Sequence, residues 1–282
     1  MSIDGKRRLA SAGFIALLIL SVFWPSPVVA VNRLCCNAPL PVDELSFLGR
    51  EAPAWDVVFW CISGLFALAL LHGAQDFSPI RDEFRATRLR VSVAIGIGVI
   101  ASAAIVAGIW IYADAPATAW AERVNSDRVE DWIRLANRFG GGMNPVMVIL
   151  FFALAGVAFS KREWVGHAIR MTFAGAAVGV IVQIMKFAIG RTRPELWLGP
   201  FHHARASASS FPSGHTVGAF ALAGVLILNA ESKTLRVIAA LLALAVALSR
   251  VLAFRHWTSD VTASAAIGLL VAAMLPSPRS SR

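Results

Sequence analysis

The sequence predicts an all-α, polytopic transmembrane helix bundle of about eight segments. Three observations lead there. The 282 residues are 57% hydrophobic and 15% charged, and a mean hydropathy of +0.66 is too apolar for a soluble globular domain. The apolar residues gather into runs set apart by polar stretches. Those stretches are basic in alternation, as loops on opposite sides of a bilayer should be.

Taken in order, residues 1–31 carry Lys6, Arg7 and Arg8, the apolar run Leu9 to Phe23, Pro25 and the small-residue ending Val28-Val29-Ala30. That pattern fits a cleaved signal peptide and an uncleaved first transmembrane helix. The second is preferred, because the apolar stretch reaches Val31 and roughly 20 residues span a bilayer. Residues 32–54 follow as a polar, proline-bearing loop on the outer side. Of the three cysteines, Cys35 and Cys36 are adjacent, where a mutual disulfide would be strained, and Cys61 lies in an apolar run and reads as packed. No metal-binding spacing is present, so no metal is expected.

Further apolar runs lie at about 55–74, 91–113, 144–160, 171–189, 216–230, 237–254 and 261–275. The stretch 76–90 holds Arg81, Arg85, Arg88 and Arg90, 161–170 holds Lys161, Arg162 and Arg170, and 231–236 holds Lys233 and Arg236. These are placed in the cytoplasm, with the tail bearing Arg279 and Arg282 on the same side by parity. The outer segment 114–143 contains a capping-box pattern, Asp127 with Glu130. Val129, Trp132, Ile133, Ala136 and Phe139 then share one helical face, Arg128, Asp131, Arg134 and Arg138 lie opposite, and Gly140-Gly141-Gly142 closes it. A helix on the bilayer surface and a helix packed on the bundle fit this equally.

The formal charge of +9 would suggest nucleic acid in a soluble protein, but no Lys/Arg run accompanies a recognition helix or zinc motif, and nucleic acid is set aside. Basic loops and an anionic substrate account for the balance. The chemistry lies in three stretches. His256 and Asp260 are four residues apart, so on a helix they share a face, and the carboxylate can hold one ring nitrogen and leave the other free. Arg250 precedes them. Lys186 and Arg193 lie seven residues apart, two turns if the helix persists, although Gly190 and Pro194 predict its end between them. A point charge beside a forked donor suits a phosphate. In Pro212-Ser213-Gly214-His215 a turn, a hydroxyl and a glycine lead into an apolar helix whose N-terminus favours an anion, and His215 can protonate a leaving oxygen. Singly, each stretch also fits a helix cap, an interface anchor or a hydrogen-bonded membrane-edge histidine; in this order, each at the same end of a predicted helix, they point to phosphoryl transfer.

Lys186-x6-Arg193-Pro194, Pro212-Ser213-Gly214-His215 and Ser249-Arg250-x5-His256-x3-Asp260 resemble the three signature motifs of the type 2 phosphatidic acid phosphatase superfamily, which also includes vanadium haloperoxidases. The resemblance implies a catalytic trio. His256 would attack phosphorus and form a phosphohistidine, Asp260 would support it, and His215 would protonate the leaving group. Lys186, Arg193, Ser213, Gly214 and Arg250 would bind phosphate, without a metal or other cofactor. The resemblance covers about 91–275, a six-helix lipid phosphatase domain; residues 1–90 stand outside it as an N-terminal transmembrane hairpin, and 276–282 as a cytoplasmic tail. Arg191, His202, His203 and Arg205, in the loop between the first two motifs, fit contact with a lipid head group and a solvated loop, and the second is preferred.

The expected function is hydrolysis of a phosphomonoester or pyrophosphate on a lipid drawn from the bilayer, at the periplasmic face of a bacterial inner membrane. Phosphatidate, phosphatidylglycerol phosphate, undecaprenyl pyrophosphate and lipid A phosphate offer the site similar anions. Two alternatives stand beside it: a lipid phosphotransferase with the same intermediate, and an anion transporter, whose charges should be spread through the membrane depth.

Overall fold

The computed structural model describes residues 78–275, apart from 88, 141–142 and 204–208. The first two predicted apolar segments, the cysteines, Arg205 and the tail 276–282 therefore lie outside the described residues.

Nine α-helices follow among the described residues: α1 (Ser78–Ala86), α2 (Val93–Tyr112), α3 (Asp114–Val124), α4 (Asp127–Gly140), α5 (Met143–Ala158), α6 (Arg162–Ile189), α7 (Gly214–Asn229), α8 (Lys233–Leu252) and α9 (Thr258–Ala273). Three of them, α2, α6 and α8, are long and apolar enough to cross a membrane, and three shorter apolar helices occupy 145–158, 214–229 and 258–273. These six fall on the runs predicted from 91 onward. Side chains such as Val93, Ile100, Val180, Ile184 and Leu241 are exposed on them, as helices facing lipid require. With 28 residues, α6 is about 42 Å long at the helical rise of about 1.5 Å per residue, longer than the ~30 Å hydrocarbon layer. Its ends carry Arg162 and Lys186.

The chain forms two compact units. The first holds residues up to Arg81 together with Leu150–Val165. In its described part Ala155 and Ala158 are buried against Leu154 and Trp164, and the Phe152 and Trp164 rings meet edge to face at 5.8 Å. The second holds Asp82–Ile149 and the residues from Gly166 onward, and all the site residues named above belong to it. Within it α7 packs against α8 and α9, α9 against α2, and α8 against α4. The α7–α9 crossing is close because Gly268 has no side chain: a Cβ there would lie 2.7 Å from Ala221 N and 2.8 Å from Val217 O. Such small-residue crossings are how apolar helices approach within a membrane.

Serines start three of the helices. Ser92, Ser213 and Ser232 cap α2, α7 and α8 by accepting from the backbone N–H three residues on. In the predicted outer segment 114–143, α4 covers the helix expected from Asp127, and a second helix, α3, precedes it across Asn125, which is extended. Asp127 is the first residue of α4 and does not cap it; the Glu130 N–H bonds the Ser126 carbonyl at 2.9 Å. The apolar face of α4 packs on the protein. Ile133, Ala121 and Leu252 form a buried cluster with Val129, Trp132 and Phe254 around it. The side chains of Arg138 and Phe139 lie outside the described residues.

Candidate active site

Two loops and one helix start build the site. Helix α6 stops at Ile189 because Gly190 takes a left-handed φ of 62°, the usual way a helix is turned off. The chain then makes an isolated antiparallel bridge between Arg191 and His203 and a short 3₁₀ turn at Pro194–Leu196. The loop after α8 is fastened to it: the Trp257 indole donates to Thr192 O at 2.8 Å and the Glu195 N–H to Phe254 O at 3.1 Å. Ser213 heads α7. Its backbone N–H donates to Ser264 Oγ at 2.8 Å, and the Ser264 hydroxyl donates to Asp260 O at 2.6 Å, so the starts of α7 and α9 are tied together.

This construction brings the cations and histidines of all three motifs into one electrostatic neighbourhood. Lys186 sits in the last turn of α6, Arg193 in the following loop, Arg250 in the last turn of α8 and His215 in the first turn of α7. His215 experiences Arg250, Lys186, Arg255 and Arg193, and His256 experiences Arg250, Arg193 and Lys186. Arg255, not singled out in the sequence, belongs to this cluster. The Glu195 carboxylate joins two of the cations, at 3.5 Å from Arg193 and 2.7 Å from Arg255. Arg193 Nε is buried and makes no hydrogen bond, and an anion would complete it. Ser213 is fully buried, its hydroxyl accepting from Thr216 N and Thr216 Oγ1. Gly214 is not crowded, a Cβ there meeting nothing nearer than Val182 at 4.0 Å.

His256 is buried, and its Nδ1 lies 2.6 Å from the Ser210 carbonyl oxygen. A carbonyl only accepts, so Nδ1 carries a proton, and in the neutral ring Nε2 keeps the lone pair. Burial first, and then the charge of Arg250, holds the imidazole well below its ordinary pKa of 6.5; the Ser210 bond acts the other way without reversing it. The ring is therefore neutral, the form that can act as a nucleophile. The expected direct contact with Asp260 is absent: Asp260 Oδ2 is 3.9 Å from Nδ1, beyond hydrogen-bond range. A shared helical face cannot form, because His256 lies in the loop and α9 begins only at Thr258.

Asp260 instead serves a buried polar network. Its Oδ1 accepts from Arg191 at 2.5 Å, and its Oδ2 accepts from the Ser210 hydroxyl and from the Trp257 N–H at 2.9 Å. Arg191, expected in a solvated loop, is fully buried. It also bonds Asp114 Oδ2 at 2.6 Å, Ser259 Oγ at 2.7 Å and Pro200 O at 2.9 Å, and lies over Trp110 at 4.4 Å. Asp114, at the start of α3, is equally buried and accepts from Ser259 N at 2.8 Å. Two carboxylates thus surround one guanidinium. The other members of the loop, His202 and His203, are exposed as expected, although the His203 ring reaches Ile189 O at 2.9 Å.

Comparison with known proteins follows the same residues. The family model of the PAP2 superfamily matches residues 167–278. Over 129 residues the chain is 32% identical to a lipid A 1-phosphatase of Porphyromonas gingivalis, covering 45% of this chain and 27% of that protein. Over 136 residues it is 29% identical to phosphatidylglycerophosphatase B of Bacillus subtilis, covering 45% of this chain and 63% of that one. The chain thus spans less than two thirds of either relative. Among solved structures, the transmembrane PAP2 type phosphatidylglycerolphosphate phosphatase from Bacillus subtilis superposes with a TM-score of 0.51 at 24% identity, over 64% of this chain and 90% of that one.

Proposed function

We infer that this membrane protein, whose residues 167–278 belong to the PAP2 superfamily, is a lipid phosphatase that hydrolyses a phosphomonoester or pyrophosphate at the head of a membrane lipid. The observation that carries the reading is a buried His256 whose Nδ1 is held on the Ser210 carbonyl, in the same electrostatic neighbourhood as His215, Lys186, Arg193 and Arg250. Nε2 of His256 attacks phosphorus, Lys186, Arg193 and Arg250 stabilise the equatorial oxygens, and His215 protonates the departing oxygen. Water then releases phosphate from the phosphohistidine. Ser213 serves mainly to hold the start of α7, and Gly214 leaves room for the anion against that helix terminus.

The protein purified in detergent is expected to release free phosphate from a panel beginning with phosphatidylglycerol phosphate and lipid A 1-phosphate, the kinds of lipid named in its relatives. Activity should survive EDTA, because among the described residues no three metal-ligating side chains converge, and vanadate should inhibit as an imitation of the pentacoordinate transition state. Transfer to an acceptor hydroxyl without free phosphate would make it a phosphotransferase; loss on chelation, restored by a divalent ion, would refute the mechanism.

The site faces the periplasm of a bacterial inner membrane in this reading, supported by the alternation of basic loops. Reporter fusions within 114–143 and 195–210 should report periplasm, and fusions within 76–90 and 161–170 cytoplasm. A cytoplasmic signal at 195–210 would place the chemistry on the other side.

A further inference from the structure

Ser210 stands where the buried network meets His256. Its backbone N–H donates to Arg191 O at 2.7 Å, its hydroxyl donates to Asp260 Oδ2, and its carbonyl accepts from His256 Nδ1 at 2.6 Å. The residue is fully buried, so no water replaces any of these partners. We propose that Ser210 is the positioning residue for His256: its carbonyl sets the tautomer and ring orientation, and Asp260 and Arg191, with Asp114 behind them, hold that carbonyl in place. The proposal rests on His256 being the nucleophile of the phosphatase described above.

The argument is one of acceptors. An imidazole is oriented by whichever group accepts its N–H, and a carboxylate is the stronger acceptor when it is free. Asp260 is not free. Arg191 takes one oxygen at 2.5 Å, and Ser210 with Trp257 takes the other, so the ring turns to the neutral carbonyl beside it. That carbonyl is held by the other two bonds of the same residue, its N–H tied to the loop of Arg191 and its hydroxyl tied to Asp260. Asp114 completes the chain by sharing Arg191 with Asp260. A neutral acceptor leaves the imidazole uncharged and fixes Nε2 toward the cations, whereas a carboxylate in contact would favour imidazolium.

Two measurements test this on the full chain in detergent. In protein labelled with ¹⁵N-histidine, the His256 resonances, assigned by their loss in His256→Gln, should show the Nδ1–H tautomer; an Nε2–H tautomer overturns the proposal. In kinetics with p-nitrophenyl phosphate, Ser210→Ala should lower kcat by about 10²-fold, the usual cost of a small misplacement of a reacting group, with KM within about twofold. Ser210→Thr, which keeps the hydroxyl, should recover to within about tenfold of the unaltered enzyme. An unchanged kcat in Ser210→Ala overturns the proposal. If neither variant folds, the tautomer of the unaltered chain decides. Should that chain show the Nδ1–H tautomer but release no phosphate from any substrate, the phosphatase reading fails while the orientation of His256 by Ser210 stands.

Discussion

Replacing His256 by alanine is expected to reduce hydrolysis of both a lipid phosphate and p-nitrophenyl phosphate to background, because no phosphohistidine can then form. His215→Ala should behave differently. A lipid alkoxide is a poor leaving group and needs a proton, so the lipid reaction should lose about 10²–10⁴-fold, the usual contribution of general acid catalysis. The aryl ester, whose phenolate leaves unaided, should lose far less. The contrast follows from placement. His256 is buried with its Nδ1 held on the Ser210 carbonyl, whereas His215 is partly exposed in the first turn of α7. Equal losses on the two substrates for His215→Ala would remove its role as acid, and a labelled phosphoenzyme persisting in His256→Ala would move the nucleophile elsewhere.

Replacing Arg191 by methionine is expected to cost the fold about 3–5 kcal/mol, the penalty of leaving a buried charge without its partner. Here two carboxylates lose it together. Asp114 and Asp260 are both fully buried and both bonded to Arg191, at 2.6 and 2.5 Å. The expected result is a lower thermal midpoint and a smaller monodisperse fraction in detergent. Arg191→Met combined with Asp114→Asn should be less damaged than Arg191→Met alone, since one of the stranded charges is gone. A thermal midpoint unchanged in Arg191→Met would mean that the network contributes nothing to stability.

These two residues show what the sequence reveals and what it hides. His256 and His215 are visible because an ionisable side chain beside an apolar helix needs a reason to be there. The helices from Val93 onward are visible for the same reason reversed, as unbroken apolar length. Arg191 is hidden. It sits in a glycine-flanked stretch between two cations, where a solvated loop is the ordinary reading, and its carboxylate partners are 69 and 77 residues away. Asp114 follows an apolar run directly and cannot be told from any aspartate starting a helix. The His256–Asp260 spacing misled for a local reason. The four-residue interval implies one helical face, but Trp257 is extended and α9 begins only after it, which leaves the carboxylate 3.9 Å from the ring with Ser210 bonded to both. Arg255 is hidden as well, because a basic residue at a membrane edge is commonplace; its place in the cluster shows in its ion pair with Glu195, which also meets Arg193.

Asp114 and Trp110 both lie ahead of residues 167–278, the stretch that the family model matches, yet both close around Arg191 inside it. A fragment cut at that boundary would keep every signature residue and still enclose Arg191 with one carboxylate where the whole chain supplies two. The stretch that the family model matches is therefore shorter than the stretch that encloses Arg191, and a truncation that keeps Trp110 and both carboxylates around that guanidinium has to begin ahead of Trp110.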